Sequence, residues 1–267
     1  MANKHGDFIW YELLTRDPDA AKAFYDAVVG WNIDTEPMAG MASGMDYRVI
    51  NASEGKVGGV MRIGGEMAEH GARPVWLGYI AVDDVDQTVG AIEAAGGKTL
   101  MPANDIPDVG RIAMVADPQG APFYVMKPKP PAGTEDTTSN AFAAERPMEG
   151  HCAWNELVTD DPEAAKTFYH GCFGWEKDGE MDMGAMGTYE FLRHGFMFGA
   201  VMKRPEQRSA SLWTYYFRVP DIDKAVETIK ASGGQVIMGP QDIPGGEFVI
   251  NGIDPDGAPF ALVGPRK

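Results

Sequence analysis

Only two of the 267 residues are cysteine, Cys152 and Cys172, and only five are histidine. Two thiols in a chain this long build no disulfide framework. His5, His70, His151, His170 and His194 are scattered, and none forms a ligand pair with a carboxylate. Long apolar runs are missing too, so no segment is expected to span a bilayer. The opening MANKHGDFIWYELL lacks an apolar run before a small-residue cleavage site, which argues against a secretory signal. Cytoplasmic location is the default expectation. Basic residues are scarce, 23 against 39 acidic ones, for a net charge of −16. Phosphate backbones and anionic membrane surfaces would be repelled, so neither nucleic acid nor membrane is expected as a partner. A neutral or cationic small molecule is compatible with this charge.

What is present is a repeat. FIWYELLTRDPDAAKAFY (Phe8 to Tyr25) returns as CAWNELVTDDPEAAKTFY (Cys152 to Tyr169). Trp10 maps to Trp154, an offset of 144 (154 − 10), and the same offset carries Glu12 to Glu156, Asp17 to Asp161 and Gly30-Trp31 to Gly174-Trp175. A second block repeats at 137 (221 − 84): DVDQTVGAIEAAGG from Asp84 returns as DIDKAVETIKASGG from Asp221, and DPQGAPF at Asp117 as DPDGAPF at Asp254. Such self-similarity organises the whole chain. Between the copies, Lys127 to Gly150 is rich in Pro, Ser, Thr, Gly and Ala without a period, which reads as a linker.

Each copy subdivides again. Phe8 to Leu14 reads as a strand ending at Asp17-Pro18, an N-cap followed by the residue suited to the first helical position. Ala21, Phe24, Tyr25 and Val28 then keep helical spacing, and Gly30 is a C-terminal stop. Short runs at Tyr47–Ile50 and Lys56–Met61 predict strands. The pattern restarts at Trp76: a strand to Val82, a helix from Asp84, then strands ending at Val125-Met126. Four strand-helix-strands units result. FYxxxxGW, with Phe24 and Phe168 facing the core, reads as structural, and DPQG and DPDG as turn chemistry.

Four such units in two pairs, with FYxxxxGW after the first helix and DPxG before the last strand, resemble the vicinal oxygen chelate superfamily. That superfamily includes glyoxalase I, bleomycin resistance proteins and extradiol dioxygenases. The resemblance covers nearly the whole chain apart from the linker. It implies an α+β fold of four βαβββ units paired into two half-open β-cups, helices outside and ligand inside. The domains would be 1–128 and 150–267, joined by 129–149. Fold alone does not assign the chemistry, because the superfamily hosts isomerases, lyases, oxygenases and binding proteins.

The resemblance also implies where a divalent metal would be held. Its first-strand ligands fall seven residues before each helix-capping Asp, at Trp10, Leu77, Trp154 and Thr214. Its last-strand ligands fall seven after the Asp of DPxG, at Tyr124 and Ala261. Trp, Leu and Ala side chains are not metal donors, and Thr and Tyr are poor ones. No metal or other cofactor is therefore expected, unless a divalent ion takes an atypical position.

Strand alternation sends Trp10 and Glu12 to one face and Tyr11 and Leu13 to the helix layer. Leu77 and Tyr79 would share the cup face, as would Trp154, Glu156, Tyr216 and Arg218 in the second copy. A buried Glu beside Trp and Tyr needs hydrogen bonds, a cation or a proton. Three readings follow. Glu12 and Glu156 tie units together through a tyrosine hydroxyl or Arg218. Alternatively they help Trp10, Tyr79, Tyr124, Trp154, Tyr216 and Arg218 grip a small ligand. Or they are catalytic, as general bases of a lyase (one resembling lactoylglutathione lyase), an isomerase or a hydroxylase. The expected function is binding of a small aromatic or apolar molecule in a metal-poor cup, as monomer or homodimer, with that enzyme as the alternative. Vestigial cups on an interaction protein are a third possibility. Met38, Met41 and Met45, and Met181, Met183 and Met186, mark matching loops that read either as lids or as hairpins with methionines in the core. His151 breaks the repeat, since Asp7 stands at its counterpart, and a surface role is expected for it. Cys152 and Cys172 could be neighbours.

Overall fold

The computed structural model describes residues 3–39, 44–130, 133, 138–143, 146–206 and 208–267. The first copy runs β1 (Phe8–Thr15), α1 (Pro18–Val29), β2 (Asn32–Ile33), β3 (Tyr47–Ala52), β4 (Gly55–Arg62), a short α2 (Gly65–Glu69), β5 (Val75–Ala81), α3 (Val85–Ala94), β6 (Lys98–Ile106), β7 (Gly110–Ala116) and β8 (Pro122–Pro128). The second runs β9 (Cys152–Thr159), α4 (Pro162–Phe173), β10 (Glu176–Asp182), a 3-10 turn, β11 (Thr188–His194), β12 (Phe196–Lys203), β13 (Leu212–Arg218), α5 (Ile222–Ala231), β14 (Gln235–Ile243), β15 (Glu247–Ile253) and β16 (Pro259–Gly264). These are the four βαβββ units expected from the repeat.

The helix starts follow from local chemistry. Asp17 accepts from the amides of Asp19 and Ala20, and Asp161 from that of Ala164, each followed by Pro at the first helical position. Both helices end at a left-handed glycine, Gly30 (φ 84°) and Gly174 (φ 72°), where a side chain would be strained. Asp84 and Asp221 cap α3 and α5.

Strands form two eight-stranded mixed sheets, in the orders β2-β3-β4-β1-β5-β8-β7-β6 and β10-β11-β12-β9-β13-β16-β15-β14. Within each unit the first strand pairs in parallel with the last, and the remaining pairs are antiparallel.

By compactness the chain divides into two interleaved units. One comprises Met1–Ile9, Gly78–Ser139 and Asn155–Trp213; the other Trp10–Leu77, Asn140–Trp154 and Thr214–Lys267. Each is knit by buried polar contacts between elements far apart in sequence. In the second, Tyr25 Oη on α1 donates to Asp254 Oδ2 at 3.1 Å, and Trp76 Nε1 donates to Tyr25 Oη at 2.9 Å. Trp31 Nε1 reaches the Gly150 carbonyl at 2.6 Å. The first repeats the arrangement with the partners exchanged: Tyr169 to Asp117 (3.2 Å), Trp213 to Tyr169 (2.9 Å) and Trp175 to the Gly6 carbonyl (2.9 Å). The Asp of DPxG thus does more than start a turn; it receives the Tyr of FYxxxxGW from the opposite copy. Rings pack around both tyrosines, including Trp76, Phe217 and Phe260 around Tyr25's cluster and Trp175, Trp213 and Phe123 around Tyr169.

In the stretch between the copies, Ala141 is fully buried, and Phe142 bridges Cys152 beside β9. His151 is not at the surface: it is fully buried, with Nδ1 2.6 Å from the Asn140 carbonyl oxygen. The two cysteines are both free thiols, Cys152 buried and Cys172 half-buried.

Candidate functional site

The Trp-x-Glu motif sits where alternation puts it. Tyr11 and Leu13 are buried, and Tyr11 packs edge-on against Phe217, 5.7 Å between ring centroids, in the core that includes Tyr25. Trp10 and Glu12 take the other face of β1. Glu12 lies opposite Gly59 of β4. Tyr47, from β3, crosses that glycine, and Trp10 Nε1 donates to its hydroxyl at 2.7 Å. A Cβ at residue 59 would collide with Tyr47 Oη, so the bare backbone is what lets the ring pass. Burial raises the Tyr47 phenol well above its ordinary value, and the nearby Glu12 carboxylate raises it further. Glu12 itself is 1% exposed.

The compact unit holding β11 and β12 carries the matching pair. Tyr189 Oη donates to Glu156 Oε2 at 2.8 Å. Here Ala200 lies opposite the Glu in place of glycine. In both copies the acid of Trp-x-Glu is therefore enclosed beside a tyrosine hydroxyl of its own βαβββ unit. The same compact unit holds Tyr79 and Tyr124, in register across β5 and β8, with centroids 4.3 Å apart and rings 18° from parallel.

The other compact unit holds Tyr216 and Arg218 on β13. Tyr216, Ala261 and Val263 form a buried cluster against which Trp154, Ile243 and Val249 pack. Asn251 Nδ2 approaches Tyr216 Oη at 3.5 Å. Arg218 forms a two-pronged ion pair with Glu247, Nη2 to Oε2 at 2.9 Å and Nη1 to Oε1. Arg218 thus pairs with Glu247, whereas Glu156 meets Tyr189. Tyr47, Tyr189, Glu247 and Asn251 escaped the sequence reading. Tyr47 and Tyr189 could have been found from their matching places after the methionine loops. Glu247 and Asn251 have no such signal, because the first copy has Gly110 and Met114 there. Of the loop methionines, Met45 and Met186 are exposed, Met38, Met181 and Met183 are half-buried, and Met41 lies outside the described residues.

The positions the resemblance assigns to a metal are Trp10, Leu77, Tyr124, Trp154, Thr214 and Ala261. Their donor chemistry does not fit a divalent ion. Among the described residues, no group of three or more His, Cys, Asp and Glu side chains is placed to hold one. No helix among them is long and apolar enough to cross a membrane.

Known proteins place this arrangement in a family. The profile of the Glyoxalase/Bleomycin resistance protein/Dioxygenase superfamily matches residues 8–125 and 150–262. CFP32 of Mycobacterium tuberculosis (strain CDC 1551 / Oshkosh), provisionally designated a glyoxylase, is 35% identical over 258 residues, 96% of this chain and 94% of its own. The anthracycline biosynthesis protein DauV of Streptomyces sp. (strain C5) is 29% identical over 273 residues, 97% of this chain and 93% of its own. The Mn(II)-bound glyoxalase from Novosphingobium aromaticivorans superposes with a TM-score of 0.62 at 17% identity, covering 100% of this chain and 84% of that one. An extradiol ring-cleaving dioxygenase from Brevibacterium fuscum gives 0.65 at 14% identity, covering 100% and 73%. At such identities the structural likeness speaks for the fold. With both copies matched by one family profile and the four βαβββ units in place, the chain belongs to the Glyoxalase/Bleomycin resistance protein/Dioxygenase superfamily and has a tandem glyoxalase-like α+β fold.

Proposed function

We propose that this chain binds a small, flat aromatic or apolar molecule, and that ring faces do the recognising where the metal of other superfamily members would lie. The observation that carries the reading is the repeated engagement of the Trp-x-Glu acid. Glu12 is enclosed beside Tyr47, and Glu156 accepts from Tyr189. The acids fix tyrosines, and Trp10, Trp154 and Tyr216 offer π surface, whereas Tyr79 and Tyr124 stack on each other. The net charge of −16 favours a neutral or cationic ligand and disfavours nucleic acid and anionic membrane. The name of the DauV relative supports a flat ligand, since anthracyclines are fused-ring compounds. We place the activity in the cytoplasm, in a monomer or homodimer.

A second reading makes Glu12 and Glu156 general bases of a lyase or isomerase. It is favoured by their burial against proton-bearing hydroxyls and by the designation of the mycobacterial relative. One experiment separates the two. The Glu12→Gln, Glu156→Gln double variant is titrated with 2-(hydroxymethyl)anthracene by quenching of tryptophan fluorescence. Binding within about threefold of wild type supports ring recognition, because Gln keeps an acceptor for tyrosine. Wild-type protein that shows no saturable quenching with this probe or with 2-(hydroxymethyl)anthraquinone refutes it. Turnover of a hemithioacetal that vanishes in the variant would favour the base.

A further inference from the structure

The two copies act as an internal comparison, because Tyr79 corresponds to Tyr216 at the 137-residue offset (216 − 79). In the first copy Tyr79 is covered by the ring of its cross-strand neighbour Tyr124, stacked at 4.3 Å. In the second the cross-strand neighbour of Tyr216 is Ala261. A ring's worth of side chain has been removed at that register position. The residues packed against the Tyr216 cluster instead come from other strands, among them Trp154, which is only half-buried. Polar groups have been added around the same position. Arg218 stands where the first copy has Ala81, Asn251 where it has Met114, and Glu247 where it has Gly110.

Arg218 also has a donor to spare. Its two terminal nitrogens are committed to Glu247, and its Nε is shielded from solvent without meeting an acceptor among the described residues. A shielded N–H left unmade is costly, and native proteins rarely keep one without a reason. The guanidinium cannot release the proton, so the group remains a donor at every working pH. Because Glu247 already balances its charge, the site suits a neutral acceptor better than an anion.

Resting on the ring-recognition reading above, we infer that the β13–β16 face is a binding site for a planar ring compound bearing a carbonyl oxygen. The ligand's ring takes the place over Tyr216 that Tyr124 takes over Tyr79, beside the half-buried Trp154. Its carbonyl oxygen accepts from Arg218 Nε. The corresponding face of the first copy is taken by its own tyrosine pair, so the described residues offer one such site.

The test uses two probes that share a three-ring frame. 2-(Hydroxymethyl)anthraquinone carries ring carbonyls, and 2-(hydroxymethyl)anthracene carries none. Wild-type chain should bind the quinone at one site. Arg218→Lys, which keeps a charge for Glu247 but loses the fork, should weaken the quinone about tenfold or more while leaving the anthracene within about threefold. Ala261→Tyr, which rebuilds the stacked pair of the first copy, should abolish this site for both probes. The matched Tyr124→Ala should leave it intact. Circular dichroism confirms folding, and should Arg218→Lys fail to fold, Ala261→Tyr decides alone. If both probes bind but neither Arg218→Lys nor Ala261→Tyr alters the quinone, this inference is overturned while ring recognition stands. If neither probe binds wild type, both readings fall.

Discussion

Removing one oxygen atom from Tyr25 tests the buried contacts that knit the compact unit containing α1 and β16. In Tyr25→Phe the ring stays, so apolar burial is almost unchanged, but two hydrogen bonds vanish together. Asp254 Oδ2 loses a donor at 3.1 Å, and Trp76 Nε1 loses its acceptor at 2.9 Å. A hydrogen bond to a charged group is worth about 1.5–3 kcal/mol, and a stranded buried donor costs about 1–3 kcal/mol. Partial relaxation leaves about 3 kcal/mol. For a chain of this size each kcal/mol moves Tm by roughly 2–4 °C, so the variant should melt about 6–12 °C below wild type. Differential scanning calorimetry reads this directly, and Tyr169→Phe should behave alike through Asp117 and Trp213. A loss under about 2 °C for both would refute the claim that these contacts hold the units together.

The same contacts predict a pH dependence. Burial raises the Asp254 carboxyl above the usual range, although the Ala258 amide and the Tyr25 hydroxyl pull it back, and Asp117 is raised in the same way. With the folded value above the unfolded one near 3.9, the native state takes up the proton first as pH falls. The group's stabilising contribution is complete below the unfolded value and lost as pH rises through the folded one. Wild type should therefore gain stability relative to Asp254→Asn, which cannot titrate, as pH falls from 7.5 to 4; urea melts read the difference, and a difference that stays constant counts against it. Gly59→Ala should fold, since the second copy tolerates Ala200, yet push Tyr47 off Trp10 at a cost of about 1–3 kcal/mol. A shift in Trp10 fluorescence reports it, and an unchanged spectrum counts against the packing described. Burial drives the Cys152 thiol up to about 12, so maleimide at pH 7.5 should label the half-buried Cys172 first; equal rates would contradict this.

Much of the fold was legible because its signals are local. Asp17-Pro18 and Gly30 fix α1 by capping chemistry, and alternation fixed which way Trp10 and Tyr11 point. The long-range partners were not legible. Tyr25 and Asp254 are 229 residues apart, and each motif has an adequate local explanation, so nothing in either asks for the other. Their joint recurrence as Tyr169 and Asp117 was the available clue. His151 breaks the repeat at a strand start and was expected at the surface, whereas it is buried with Nδ1 2.6 Å from the Asn140 carbonyl oxygen. Glu156 meets Tyr189, and Arg218 pairs with Glu247, which has no counterpart in the first copy.

The proposed recognition works by rings without an inorganic ion. The most direct measurement is isothermal titration of 2-(hydroxymethyl)anthraquinone into tag-free protein treated with EDTA, then repeated with Mn(II) added. Saturable binding with the same affinity in both runs is predicted. Binding that appears only once Mn(II) is supplied, with the ion retained at one per chain after dialysis, would contradict it.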